Sequence, residues 1–242
     1  MKKVVFAVTL AAASMAAAGA SQFNLVGTAK MVGSDIQLLA RWSSIGAAWL
    51  NSPVSTTNSF NVNFSFSLAN RENHSMADGL TFAMQSVGTS ALGYGGGSVG
   101  YNGLGAVGSI IQTYSNNKAG LNIDGNAYHA KSATADLGNA KLVTGTENIQ
   151  YNSLTKLLSM SGDLNVDGSI YHIQDAATID LAAKFGSTMT MGFTAAAGGS
   201  YADERITAFS FSTPPVPEPE TYALMLAGLG AVGLVARRRK LI

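Results

Sequence analysis

The 242-residue chain contains no cysteine. That excludes a disulfide framework and any thiolate zinc site. Charge is also scarce, at 12% of residues. Ser, Thr, Asn and Gly fill the polar positions, a composition that suits an exported β-protein better than a cytosolic helical one. Glutamate occurs only at Glu72, Glu147, Glu204, Glu218 and Glu220. Hydrolysis of a glycosidic bond needs two carboxyls flanking it, and no strand pattern supplies such a pair. Asp203 and Glu204 are adjacent, so on a strand they project to opposite faces. Catalysis is therefore not expected. A basic patch is missing too. The net charge is +1, but Lys2, Lys3, Arg237, Arg238, Arg239 and Lys240 all lie at the ends, and the chain between them is mildly acidic. Nucleic acid is not an expected partner. The glycine-rich run Gly93–Gly100 lacks the lysine and helix of a phosphate loop.

What the chain does have is two-residue periodicity. Phe60, Val62, Phe64, Phe66 and Leu68 alternate with Asn61, Asn63, Ser65 and Ser67, the signature of a strand with one wet face. Asp35–Leu39, the alternating Met189, Met191 and Phe193, and Arg205–Phe211 read as further strands. Ile170–Ile173 reads as a short one. Lys131–Glu147 is small and polar and reads as a surface excursion. Ser161-Gly162-Asp163 reads as a turn, and Asp180-Leu181 as part of a helical turn. Many short strands at turn-punctuated intervals predict an all-β antiparallel sandwich.

The ends read differently. Met1–Ala20 has a Lys2-Lys3 head, an apolar run from Val4 to Ala18 and a small-residue site, Ala18-Gly19-Ala20. This is the pattern of a cleaved signal peptide and implies signal peptidase and the secretion machinery. Residues 21–212 form the predicted sandwich and 213–220 a linker. Four of the five prolines fall between 214 and 219, where they cannot continue a sheet. Residues 221–242 carry an apolar run, Tyr222–Ala236, closed by basic residues. As a helix that run spans about 22 Å, short of a ~30 Å hydrocarbon core. Snorkelling Tyr and Arg side chains extend it enough to make a transmembrane helix. The basic end stays cytoplasmic, which places the sandwich outside. Pro217-Glu218-Pro219, then an apolar helix, then Arg237-Arg238-Arg239 closely resembles the PEP-CTERM sorting signal of Gram-negative bacteria. The resemblance implies an exosortase-type sorting enzyme, a transient stay in the inner membrane, and delivery to the cell surface or extracellular matrix. A plain C-terminal anchor is the competing reading.

The most informative stretch runs from Ala77 to His129. It begins with Ala77-Asp78 at the mouth of a strand, Leu80-Thr81-Phe82-Ala83-Met84. It continues through Gly93-Tyr94-Gly95-Gly96-Gly97-Ser98-Val99-Gly100 and Gln112-Thr113-Tyr114-Ser115-Asn116 to Asp124-Gly125-Asn126-Ala127-Tyr128-His129. An acid, bare backbone amides and a carboxamide are what a hydroxyl-rich ligand needs. With Gly46-Ala47-Ala48-Trp49, Met191-Gly192-Phe193 and Ile206–Phe211, the ordered set resembles the L-type (legume-like) lectins over most of residues 22–212.

The resemblance implies a concanavalin-A-like jelly roll and a carbohydrate-binding site. Asp78 would accept from sugar hydroxyls and Gly97 would donate from its backbone. Asn116 would serve both sugar and calcium. Gly199, Ser200 and Tyr201 fall in the loop that tunes sugar choice. The family's metal pattern is Glu-x-Asp-x-Tyr-x-Asn, then Asp and, five residues on, His. Here Ile110 and Gln112 stand at the two acidic positions, leaving Gln112, the Tyr114 carbonyl, Asn116, Asp124 and His129. Hard oxygen donors with so little charge give calcium a weak site at most, and manganese is not expected. The alternative, that Asp124 and His129 close a metal-free turn, stays open. So does a turn role for Asp78. The expected function is that of an exported lectin-like protein that binds a glycan or exopolysaccharide. The competing expectation is a structural matrix or biofilm protein whose lectin fold has lost sugar and metal binding.

Overall fold

The structure, a computed structural model, describes residues 22–71, 74–114 and 116–213. The predicted signal peptide and the segments beyond residue 213 lie outside the described residues. Among those described, no helix is long and apolar enough to cross a membrane.

Strands β1 (Phe23–Gly27), β2 (Lys30–Val32), β3 (Asp35–Leu39), β4 (Ser44–Leu50) and β5 (Val54–Ser55) lead to β6 (Phe60–Ala69) and β7 (Gly79–Gln85). A long loop then enters the hairpin of β8 (Val107–Gln112) and β9 (Lys118–Asn122). After it come β10 (Leu142–Asn152), β11 (Leu157–Val166) and β12 (Ser169–Thr178). The one-turn helix α1 (Leu181–Phe185), β13 (Thr188–Ala197) and β14 (Asp203–Ser212) complete the sandwich. The front sheet runs β1-β4-β13-β7-β8-β9, with β5 beside β13, and the back sheet runs β12-β11-β10-β6-β14-β3-β2.

β6 behaves as its alternation predicts: Phe60, Val62, Phe64, Phe66 and Leu68 are buried and their neighbours are not. Phe64 packs between the sheets against Phe82 at 5.9 Å and Phe193 at 5.1 Å, and Phe193 meets Phe209 edge-on at 5.7 Å. Such aromatic pairs add about 0.5–1.5 kcal/mol each beyond area burial. β7, β8 and most of β13 are buried on both faces. The reason is a second apolar cluster on the outer face of the front sheet. There the long β7–β8 loop lays Val99, Tyr101 and Leu104 over Trp49 and Ile110. Trp49 Nε1 donates to the Ala91 carbonyl at 2.9 Å, pinning that loop down.

Three local expectations need correcting. Residues 142–147 are not surface excursion but the first half of β10, paired with β6 from Leu142↔Ala69 to Tyr151↔Phe60. Ser161-Gly162-Asp163 is not a turn but the middle of β11. Gly162 serves close approach there, since a Cβ would stand 2.1 Å from the Thr146 carbonyl oxygen. Ile170–Ile173 is part of a ten-residue strand, β12, paired along its whole length with β11. The helical turn is present as α1, capped by Asp180, whose side chain accepts from Ala182 N and Ala183 N.

Candidate functional site

Asp78 ends the β6–β7 loop, across a cis peptide bond from Ala77. Its backbone is clamped between two strands. Its N–H donates to the Ala196 carbonyl at 3.2 Å, and its carbonyl accepts from Thr113 N at 2.9 Å. The side chain turns to the β13–β14 loop, where Gly198 N donates to Asp78 Oδ2 at 2.8 Å. The residue is only 5% exposed. Burial raises the carboxyl's pKa above the ordinary Asp value, and the Gly198 N–H opposes that rise. Behind it, Glu204 is fully buried and its Oε1 accepts from Gly79 N at 3.1 Å. Burial, together with the Asp78 and Asp203 charges, lifts Glu204 well above the usual carboxylate range. The charged form of Glu204 is thus disfavoured where it sits behind Gly79. Asp203, in contrast, is gripped by Gln37, Arg71 and Arg205, which outweigh burial and hold it at about 2.

Gly97 lies in a short 3-10 turn, Gly96–Ser98, closed by Val99 in the left-handed region at φ 48°. A Cβ on Gly97 would stand 2.8 Å from the Tyr128 hydroxyl and 3.5 Å from Asn116 Nδ2. Those two side chains are therefore its immediate neighbours, and a larger residue would displace them. The Gly97 carbonyl accepts from Nε2 of Gln112, a residue with no exposure at the end of β8. Ser200 Oγ donates to the Ser75 carbonyl, tying the β13–β14 loop to the loop before Asp78.

Asp78, Gly97, Asn116, Gly199 and Ser200, the five residues expected from sequence, all line one open basin of about 630 Å³. They come from four separate loops. Tyr114 and Tyr128 line it as well, both more than 40% exposed. Tyr128 did not enter the sequence reading as a wall of the site. Its place in the Asp124–His129 segment masked it, because that segment reads as a metal turn. Tyr201 lies beside the basin rather than in its lining, and packs edge-on against Trp42 with ring centroids 6.1 Å apart.

Comparison with solved structures and family models places this geometry. Peanut lectin, solved with a nine-residue peptide, matches with a TM-score of 0.68 at 25% identity over 82% of this chain and 95% of its own. Basic winged bean lectin with Tn-antigen matches with a TM-score of 0.64 at 27% identity, covering 81% and 94%. Lectin I-B4 of Griffonia simplicifolia, in a metal-free form, matches with a TM-score of 0.69 at 19% identity, covering 83% and 97%. Residues 215–240 match the PEP-CTERM protein-sorting motif. This is a legume-lectin fold carrying a PEP-CTERM sorting signal. The match takes in Pro217, Glu218 and Pro219 and Arg237, Arg238 and Arg239.

The lectin fold raises the question of metal, and the residues present do not fit one. Of the five expected donors, Gln112 and Asn116 stand at one end of the β8–β9 hairpin and Asp124 and His129 beyond the other. Gln112 pairs with Lys118, whereas Asn122, which precedes Asp124, pairs with Gly108. Four residues of strand, about 13 Å, separate those levels. Asp124 is used locally: it accepts from Asn122 Nδ2 at 2.7 Å and meets His129 Nδ1 at 2.6 Å. Of the two expectations for Gln112, Tyr114, Asn116, Asp124 and His129, a weak calcium site or a lost one, these local bonds favour the second. Asp124 and His129 close a turn. No group of three or more His, Cys, Asp or Glu that could hold a metal occurs among the described residues. At the basin end, Gln112 Oε1 has no hydrogen-bond partner among the described residues. Gln112 Oε1, Asn116 Oδ1 and the Tyr114 carbonyl, all neutral, fall short of the six to eight oxygens calcium takes.

Proposed function

We propose that this protein is an exported lectin that binds a glycan in the basin around Asp78 and is delivered to the cell surface or extracellular matrix. The observation that carries the reading is the convergence on one polar basin of Asp78, Gly97, Asn116, Gly199 and Ser200 from four loops. A buried carboxylate held by one backbone amide retains acceptor capacity for ligand hydroxyls. The turn at Gly97 brings backbone close to the ligand space, and Asn116 adds donor and acceptor. Asp78 is the only carboxylate among the described lining residues. Glu204 is sealed behind it, so the two-acid arrangement of a glycosidase is not available. Binding without turnover fits this chemistry best.

The tail supports export. In this reading residues 1–20 are removed on secretion and residues 213–220 form the linker. Residues 221–242 hold the protein in the inner membrane until an exosortase-type enzyme acts at Pro217-Glu218-Pro219. Replacing Pro217 and Glu218 by Ala should leave the protein in the inner-membrane fraction. Surface delivery of that variant would refute the sorting role.

A glycan array probed with the sandwich, with and without EDTA, tests the central proposal. Binding of a defined set of sugars, lost in Asp78→Asn, supports it. Absence of binding to any glycan favours the second reading, a structural matrix protein on a lectin fold. The use of Asp124 and His129 in bonds to each other and to Asn122 is the observation that favours that reading.

A further inference from the structure

Beside the basin stands an aromatic pair that the function proposed above does not use. Trp42, in the β3–β4 turn, is 55% exposed. Single exposed apolar residues are ordinary, but Trp42 is not placed like one. Its ring packs against Tyr201 in a T-shaped contact, centroids 6.1 Å apart and planes at 72°, while more than half of the residue stays exposed. The turn is tied to the binding loop itself. Ser43 N donates to the Gly198 carbonyl at 3.0 Å, and the Gly198 N–H holds Asp78. Ser44 Oγ donates to the Arg41 carbonyl at 2.6 Å, closing the turn from below. Ser43 sits at φ 46°, in the left-handed region that a non-glycine residue adopts at a cost. One residue, Gly198, thus fixes the acid of the basin with its N–H and the tryptophan turn with its carbonyl. Summing the covalent and hydrogen-bonded steps, the Trp42 backbone lies at most roughly 12 Å from the Asp78 carboxylate.

We propose that Trp42 and Tyr201 form a second sugar subsite, so that the preferred ligand is a chain of linked sugars rather than a lone monosaccharide. This rests on the reading of the Asp78 basin as a sugar site. The chemistry is that of an aromatic face against a pyranose ring. The negative face of the π system attracts the polarised C–H groups of the ring's apolar side. The hydroxyls at the ring's rim stay in water. The Asp78 basin anchors one sugar through hydrogen bonds, and the indole receives a neighbouring unit that projects past Gly199 and Ser200.

The test compares a monosaccharide with oligosaccharides of increasing length, drawn from the sugars the array identifies, by calorimetric titration. Wild type should bind the longer chains at least tenfold more tightly than the monosaccharide. Trp42→Ala should lower chain affinity roughly tenfold, the scale of one aromatic contact, and leave monosaccharide affinity unchanged. Trp42→Phe should recover most of the loss, and Tyr201→Ala should reproduce part of it, with some loss of melting temperature because Tyr201 also packs against the core. Equal affinity of wild type for monosaccharide and chain overturns the proposal. So does a Trp42→Ala variant that weakens both ligands alike or neither. Absence of any sugar binding by wild type removes the basin reading and this subsite together. Chain-independent binding removes the subsite alone.

Discussion

The two ends of the β8–β9 hairpin carry similar residues and do opposite things with them. At one end Asn116 lines the basin, and the buried Gln112 carboxamide reaches across to brace the Gly97 carbonyl. At the other end Asp124, His129 and Asn126 bond to one another and to Asn122, and the turn closes on itself. The aspartates on either side of this divide differ in the same sense. Burial raises Asp78. Burial pushes Asp124 up as well, but hydrogen bonds from His129, Asn122 and Asn126 together outweigh it and hold the carboxyl below the ordinary value. An acid raised by burial beside an open basin is placed to meet a ligand. An acid satisfied by its own turn is placed to hold a shape.

The sharpest way to break this comparison is at Asp78. Hydrogen bonds to a charged acceptor are worth roughly 1.5–3 kcal/mol. Asp78→Asn should therefore weaken glycan binding by about tenfold to a hundredfold, measured by titration calorimetry, with little change in melting temperature. The same residue sets a pH dependence. Its folded pKa is raised, so the carboxylate is lost at a pH above the ordinary Asp value of 3.8 as the solution is acidified. Glycan affinity should fall as pH drops through that raised value, and in Asp78→Asn the fall should disappear. A wild-type affinity that holds steady down to pH 3.8 would separate Asp78 from the ligand.

Much of this was legible in the sequence, for identifiable physical reasons. β6 announces itself because one of its faces is wet, so apolar and polar residues alternate. β7 and β13 alternate as well, but the small and hydroxyl residues between their large apolar ones are buried too, because the Tyr101 loop covers the second face of the front sheet. β10 and β12 were cut short because their ends are built from small polar residues such as Gly145, Thr146, Ser169 and Gln174, which carry no apolar signal. The basin residues could be named because the resemblance fixes them one by one. The metal set could not be placed, because spacing along the chain ignores the strand that intervenes. Asp124 and His129 are five residues apart, as in the family pattern, yet β9 carries them away from Asn116. Tyr128 and Glu204 left no signal of their own. A returning loop brings Tyr128 to the basin, and β14 places Glu204 behind it, out of the lining.

A smaller effect is expected at Gln112, and it decides whether the basin end needs a cation. Gln112→Ala removes the brace on Gly97 and leaves that carbonyl short of a donor, a loss of about 1 kcal/mol. Glycan affinity should fall roughly fivefold. Wild-type affinity should be the same in EDTA and in added calcium, because the brace is a side chain and not an ion. Weakened wild-type binding in EDTA, restored by calcium, would show that the Gln112 Oε1 oxygen holds a metal after all.

The smallest effect belongs to the far end. His129 and Asp124 have side chains 62% and 51% exposed, and exposed pairs of this kind contribute about 0–1 kcal/mol. His129→Ala should thus lower stability to denaturant by no more than about 1 kcal/mol. The Asp124 carboxyl should titrate closer to its ordinary value, since one of the hydrogen bonds holding it down is gone. Glycan affinity should not change. The reason lies in how Tyr128 is held. Its N–H donates to the Asn126 side chain, and the Ala127 N–H beside it donates to Asn102 Oδ1. Neither bond is made by the imidazole, and the Asn126 carboxamide that meets His129 Nε2 keeps its own anchor on Asn102 Nδ2. Carboxyl titration by NMR alongside glycan calorimetry on the same variant reads both quantities. If His129→Ala weakens binding as much as Gln112→Ala does, Tyr128 couples the two ends, and the closed turn is part of the site.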